Sequence, residues 1–256
     1  MGIKMRMKLV DALAARGSMF TTSEAQRIWG TGSAVTRVLL SRLAKTGWIE
    51  RLETGKYMIV PLGAKKGDYT LHEFAVGSVL VRPSAIAYWS ALHHHGLTEQ
   101  IPATVFLQTT ARARRGERRI LGVNYRIVRV ASRKFFGTRR ERLDGTDVDI
   151  TGPEKTVIDC LDKTRYSGGV VEVAKAVMTG KLDAGRLEEC ALKNGSSAVH
   201  RRLGFLCDLA GIGLARPKEM PRNYIPLDPT HPVRGKKDAR WRLVVNVDLE
   251  MPEGPG

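Results

Sequence analysis

Acidic residues are scarce in this 256-residue chain, aromatic residues make up only 6% of it, and it has just three cysteines. Cys160, Cys190 and Cys207 are odd in number, far apart and without a C-x-x-C pair. No disulfide framework can be built from them, and a reducing cytoplasm is the expected setting. Uncharged apolar runs never approach the ~20 residues that a membrane helix needs, so no membrane span is expected. The stretch from Met1 to Leu13 interrupts its apolar residues with Lys4, Arg6, Lys8 and Asp11, unlike the continuous core of a signal peptide. The 26 glycines and 11 prolines are dispersed, and 43% of the residues are hydrophobic, which excludes collagen-like, low-complexity and wholly disordered chains.

What the sequence has in excess is positive charge. Lysine and arginine total 42 against 26 acidic residues, a net of +16. Such a surplus favours a polyanionic partner, because each neutralised phosphate releases condensed counterions. A membrane surface would call for a long basic amphipathic helix, and none is evident. The charge has two centres. Residues 1–61 hold 10 basic and 4 acidic residues, and residues 112–142 hold 12 basic and 2 acidic. Between them, Pro61-Leu-Gly-Ala-Lys-Lys-Gly-Asp68 reads as a linker, which divides the chain into units 1–61 and 68–256.

The first unit reads as a DNA-binding module. Ile3, Met7, Val10 and Leu13 recur at helical spacing, and Gly17 is a plausible end for that helix. Thr21-Thr22-Ser23-Glu24 is a capping box that opens a short helix with Ala25, Ile28 and Trp29 inward. After Gly30-Thr31-Gly32, Ser33 is the expected N-cap of a second helix with Val35, Val38, Leu39 and Leu43 on its buried face. Two helices joined by a Gly-containing turn make a helix-turn-helix. The second then presents Ser33, Thr36, Arg37 and Ser41, with Lys45 near its end, to phosphates and base edges; Arg42 falls on the core side by angle. Residues 48–52 and 57–60 are β-prone runs around Glu53-Thr54-Gly55-Lys56, the hairpin wing of a winged helix. Arg51 and Lys56 on that wing, and Thr22 at the first helix start, are expected to meet phosphate. Arg112, Arg114 and Arg115 of the second basic region are expected to add contacts.

Beyond the linker the pattern alternates. Thr70-Leu-His-Glu73 opens a helix through Leu80, and a further helix is expected from Pro83-Ser84 to His95. Strands are expected over 103–109, once or twice within 120–130, and over 147–151; a helix from Pro153 ends at Leu161. Helices over 170–179, 183–193 and 197–210 follow, then a strand over 241–249 in the tail 220–256. The whole is an α+β chain: a winged helix-turn-helix followed by a larger mixed domain.

Several runs of this sequence resemble the AbiEi family of antitoxins from type IV toxin–antitoxin systems. They are Thr21-Thr-Ser-Glu-Ala25, Leu39-Leu-Ser-Arg-Leu-Ala-Lys-Thr-Gly-Trp48 and Ser90-Ala-Leu-His-His-His-Gly-Leu-Thr-Glu-Gln-Ile-Pro102, with Glu154-Lys-Thr-Val-Ile-Asp-Cys-Leu161 and Leu203-Gly-Phe-Leu206. They occur in the family's order and span most of residues 20–210. The resemblance implies an N-terminal winged helix that binds inverted repeats in its own promoter as an autorepressor. It also implies a C-terminal domain that counters a nucleotidyltransferase-like toxin and aids repression, with no cofactor and no catalysis. The tail after about Met220 matches least.

Enzyme and metal readings compete with this one. His93, His94 and His95 are consecutive, and neighbours on a helix diverge by about 100°, so they cannot face one ion together. His72, His200 and His231 have no spacing that demands a shared metal, and helix-end contacts account better for the triplet. Asp147-Val-Asp149 puts two carboxylates on one strand face, as a Mg²⁺-dependent nucleotidyltransferase or nucleic-acid-processing enzyme would, with Gly137-Thr138 upstream. Arg139-Arg140 beside that pair and the lack of a third carboxylate strand argue for charge balance instead. Glu154-Lys155 hints at a nuclease, but a Glu at a helix start is well placed for the dipole. Trp89, Phe135 and Phe136 are expected in the core, with base stacking by the two phenylalanines as the alternative.

Overall fold

Helix-forming stretches and their caps set the N-terminal architecture. The computed structural model describes residues 2–15, 17–61, 63–64, 71–112, 116–217 and 219–249. The first elements are α1 (Ile3–Ala14), β1 (Met19–Thr21), α2 (Thr22–Trp29), α3 (Ser33–Lys45), β2 (Ile49–Glu53) and β3 (Lys56–Ile59). The expected apolar face of α1 is buried only at Val10 and Leu13, while Ile3 and Met7 face solvent. The α2 capping box forms: the Thr21 hydroxyl accepts the Glu24 amide at 3.2 Å, and the Glu24 carboxylate accepts the Thr21 amide at 2.7 Å. The three strands make an antiparallel sheet in the order β1-β3-β2. Val10, Leu13, Phe20, Ala25, Leu40, Leu43 and Ile49 form the core beneath it.

Helix α3 is rotated from the expected face. Its buried side is Thr36, Leu40 and Leu43, whereas Val35 and Val38 are 53% and 49% exposed and Arg42 points outward. Thr36 can take a core position because its hydroxyl donates to the Gly32 carbonyl at 3.0 Å and meets the Thr31 hydroxyl at 2.8 Å. With the polar atom satisfied locally, its methyl packs like that of a valine. The N-cap is Gly32 rather than Ser33, which is the first helical residue.

The larger sheet has six strands in the order β6-β7-β5-β4-β9-β8, with mixed parallel and antiparallel pairs. They are β4 (Ala85–Ile86), β5 (Thr104–Thr109), β6 (Gly116–Ile120), β7 (Val123–Arg129), β8 (Thr138–Leu143) and β9 (Thr146–Thr151). Alternation along the strands sends Val105, Leu107, Tyr125 and Ile127 toward α4 (Glu73–Leu80). Phe106 and Val128 face the opposite core, built with α5 (Tyr88–His94), α6 (Pro153–Asp162), α7 (Val170–Thr179), α8 (Ala184–Asn194) and α9 (Ser197–Leu209). The chain is thus an α+β protein. The expected helix from Pro83 to His95 divides, because Ala85 and Ile86 bond to the strands on both sides and Tyr88 turns the chain with φ 57°. His72 caps α4, and Thr70 lies outside the described residues.

The tail adds β10 (Ile225–Pro226), β11 (Lys236–Asp238) and β12 (Leu243–Val245), a small sheet ordered β10-β12-β11. The strand expected over 241–249 is therefore shorter. Trp241 is fully buried against α9, where a Cβ on Gly204 would lie 2.2 Å from its ring. The buried Arg201 guanidinium donates to the carbonyls of Trp241 at 2.9 Å and Asn223 at 2.7 Å, and to that of Arg242.

The N-terminal elements are bonded to the larger sheet along a seam. Met19 and Met58 join the core beside α4. Arg118 of β6 reaches both Glu53 carboxylate oxygens at 3.0 and 3.1 Å, and Lys56 binds Glu53 and the Leu80 carbonyl. Arg82 pairs with Glu24, and the Ser18 hydroxyl meets the Thr146 hydroxyl at 3.1 Å.

Candidate nucleic-acid interface

With Thr36, Leu40 and Leu43 turned inward, the outward crown of α3 is Ala34, Val38, Ser41 and Lys45, flanked by Arg37 and Arg42. Arg37 is exposed and its guanidinium donates to the Ser33 hydroxyl at 2.8 Å, which holds both at the start of the helix. Beside this face runs a groove of about 450 Å³ between α3 and the β2–β3 hairpin. Thr22, Arg37, Ser41, Lys45, Arg51 and Tyr57 line it, with Thr54 and Gly55 of the turn. The turn is fixed: Gly55 takes φ 76°, and its carbonyl accepts the Thr22 amide at 2.9 Å. Arg51 donates to the Thr54 hydroxyl at 3.1 Å, keeping its charge at the mouth.

Three cations and no carboxylate line this groove. The contrast is a cleft of about 390 Å³ at the seam, where Glu24, Asp147 and Asp149 offset Arg27, Arg82 and Arg140. Burial raises the Glu24 carboxyl, but the Thr21 amide and hydroxyl, together with Arg82, outweigh it and hold the group below its ordinary value. Of these two, the α3–hairpin groove is of one sign, and one sign is what suits a phosphate backbone.

Of the residues singled out in the sequence, the structure therefore brings together Thr22, Arg37, Ser41, Lys45 and Arg51, with Ser33 held beside them. Two do not join. Thr36 is fully buried and cannot touch a ligand. Lys56 faces the seam, because it stands directly across the hairpin from Glu53 and is drawn to that carboxylate and to the Leu80 carbonyl. Arg112 is exposed beyond β5 but does not line the groove, and Arg114 and Arg115 lie outside the described residues. Val38, expected in the core because an apolar residue at helical spacing reads so, is exposed beside them, as is Ala34.

The second basic region is less free than its composition suggests. Arg118 pairs with Glu53, Arg126 with Glu117, Lys134 with Asp162, Arg140 with Asp149 and Arg142 with Asp147. The last two pairs occupy Asp147 and Asp149, the carboxylates of the Mg²⁺ reading: Arg140 grips Asp149 at 3.0 and 3.4 Å, and Arg142 reaches Asp147 at 3.3 Å. Among the described residues no three His, Cys, Asp or Glu side chains converge as a metal site would require. His94 contacts Glu141 at 3.1 Å, while His95 meets the Thr151 carbonyl at 2.6 Å and is held below its ordinary value by burial. Glu154 accepts the Asp183 amide at 3.2 Å. Lys155 is buried on Asp159, whose carboxyl is pushed up to about 6 by burial against the pull of the lysine. The half-buried Phe136 ring is engaged by the ammonium groups of Lys155 and Lys193, at 4.6 and 4.7 Å from its centre.

The architecture is that of an α+β protein, with a one-signed groove formed by a helix and a hairpin. No family model matches the chain, and no curated protein matches it. Among solved structures it is similar to the crystal structure of the RV2827C protein from Mycobacterium tuberculosis. The two are 18% identical and superpose with a TM-score of 0.62 over 92% of this chain and 89% of that chain. At that identity the likeness shows a shared fold over nearly the full length. Among the described residues no helix is long and apolar enough to cross a membrane.

Proposed function

We propose that residues 1–61 are a winged helix-turn-helix domain that binds double-stranded DNA, with α2 and α3 as the helix-turn-helix and the β2–β3 hairpin as the wing. Residues 68–256 form the antitoxin-like domain. The chain acts as a transcriptional autorepressor on inverted repeats in its own promoter and, as the AbiEi resemblance implies, counters a nucleotidyltransferase-like toxin. Its role is binding, without a cofactor. The observation that carries the DNA reading is the groove in which Arg37, Lys45 and Arg51 stand with the hydroxyls of Thr22, Ser41, Thr54 and Tyr57 and no carboxylate. Cations and hydroxyls serve phosphate oxygens, and an outward arginine on a helix serves a guanine edge. The +16 net charge supports the same partner. Arg112, Arg114 and Arg115 remain in the proposal as further phosphate contacts.

Titration of the full chain with duplex DNA from upstream of its reading frame tests this. Affinity should exceed that for a scrambled duplex and fall as salt rises. Arg37→Ala should weaken the specific complex by ~1–3 kcal/mol and relax the preference. Unchanged affinity and preference would remove Arg37 from that role, and absence of any salt-dependent binding would end the DNA reading. The antitoxin half is tested by co-expression with a nucleotidyltransferase-like protein encoded beside it, where restored growth is expected.

A further inference from the structure

The exposed side of α3 carries two valines that the fold does not use. Val35 and Val38 are 53% and 49% exposed, on a helix whose core positions are already filled by Thr36, Leu40 and Leu43. Val38 lies on the outermost line of the helix with Ala34, one turn before it, and Ser41 and Lys45 beyond it. Around this apolar spot stand Arg37, Arg42 and Lys45, with Arg51 across the groove.

That ring of charge decides what can cover the spot. A second copy of a chain with net charge +16 would bring like charges together. An anionic surface that also offers isolated methyl groups fits both features. The major groove of DNA is such a surface: phosphates line its edges, and thymine is the one base that presents a C5 methyl there.

We infer that α3 selects thymine, with Val38 and Ala34 meeting thymine methyl groups beside the guanine engaged by Arg37. Val38 is then a specificity-determining residue, and its exposure in the free chain is the state awaiting the base. The inference rests on the DNA reading above and narrows it to a base. Loss of one buried methyl corresponds to a weakening of about fourfold.

The experiment uses the full chain and a random pool of duplexes. The most strongly selected duplex is remade with uracil replacing one thymine at a time, which removes only the methyl, and dissociation constants are measured at fixed salt. At one or two positions the wild type should weaken about fourfold. Val38→Ala, an exposed substitution checked for folding by its urea midpoint, should weaken the thymine duplex by a similar factor and lose its response to uracil there. Sequence-selective binding that ignores every uracil replacement, or a V38A chain that keeps the wild-type response, overturns the thymine inference and leaves DNA binding standing. Failure to enrich or bind any duplex overturns the DNA reading itself, and the inference with it.

Discussion

At the scale of single residues, the helix face is decided by one threonine. Arg37, Ser41 and Lys45 were legible as outward because long cations and small hydroxyls at helical spacing have no business in a core. Thr36 was not. A hydroxyl that finds the Gly32 carbonyl turns a polar letter into a buried one, and the two valines move outward to match. Lys56 misled in the opposite direction, since nothing local announces that Glu53, Arg118 and the Leu80 carbonyl converge on it or on its partner. The two hairpin cations therefore separate in solution. Arg51→Ala should lower the slope of log affinity against log salt by about 1, and Lys56→Ala should leave that slope as it is. Titrations at four or more salt concentrations read both, and equal slopes for the two variants would count against the assigned geometry.

At the scale of elements, caps were readable and edges were not. Thr21 and Glu24 form the reciprocal box that their spacing announces, and helices α6 to α9 begin and end within a residue or two of expectation. The β8–β9 hairpin was half missed because β8 reads Thr-Arg-Arg-Glu-Arg-Leu, a charged edge strand whose identity comes from its partner's register. The short β4 was hidden inside an apparent helix for the same reason: its strand character is conferred by β5 and β9. The α2 box carries a pH dependence. Because the folded Glu24 carboxyl lies below its ordinary 4.5, its contribution is complete above that pH and is lost as the pH falls through the lower folded value. Glu24→Gln should therefore be less stable than wild type at pH 7, with the gap closing in acid. Urea midpoints at pH 7 and pH 3 measure it, and a gap of constant size would contradict the assignment.

At the scale of the whole molecule, long-range closure is what the sequence could least disclose. The seam joins residues 18, 24, 53 and 56 to residues 146, 82, 118 and 80, separations that no periodicity reports. The tail is the other case. Its fit against α9 depends on Gly204 having no side chain, since a Cβ there would stand 2.2 to 2.4 Å from three atoms of the Trp241 ring. Gly204→Ala should cost at least about 1–3 kcal/mol through overpacking. Urea denaturation followed by tryptophan emission reads this, and a stability equal to wild type would mean that the ring has room to move.

Arg201 gives that tail a place in time. Its charge is buried with backbone carbonyls from residues 223, 241 and 242 as its partners among the described residues. During synthesis α9 leaves the ribosome some forty residues before the last of those carbonyls, so the guanidinium must stay hydrated until they arrive. The packing of α9 against the tail is consequently completed late, while α1 to β3, whose own small core draws on nothing beyond residue 59, can settle early.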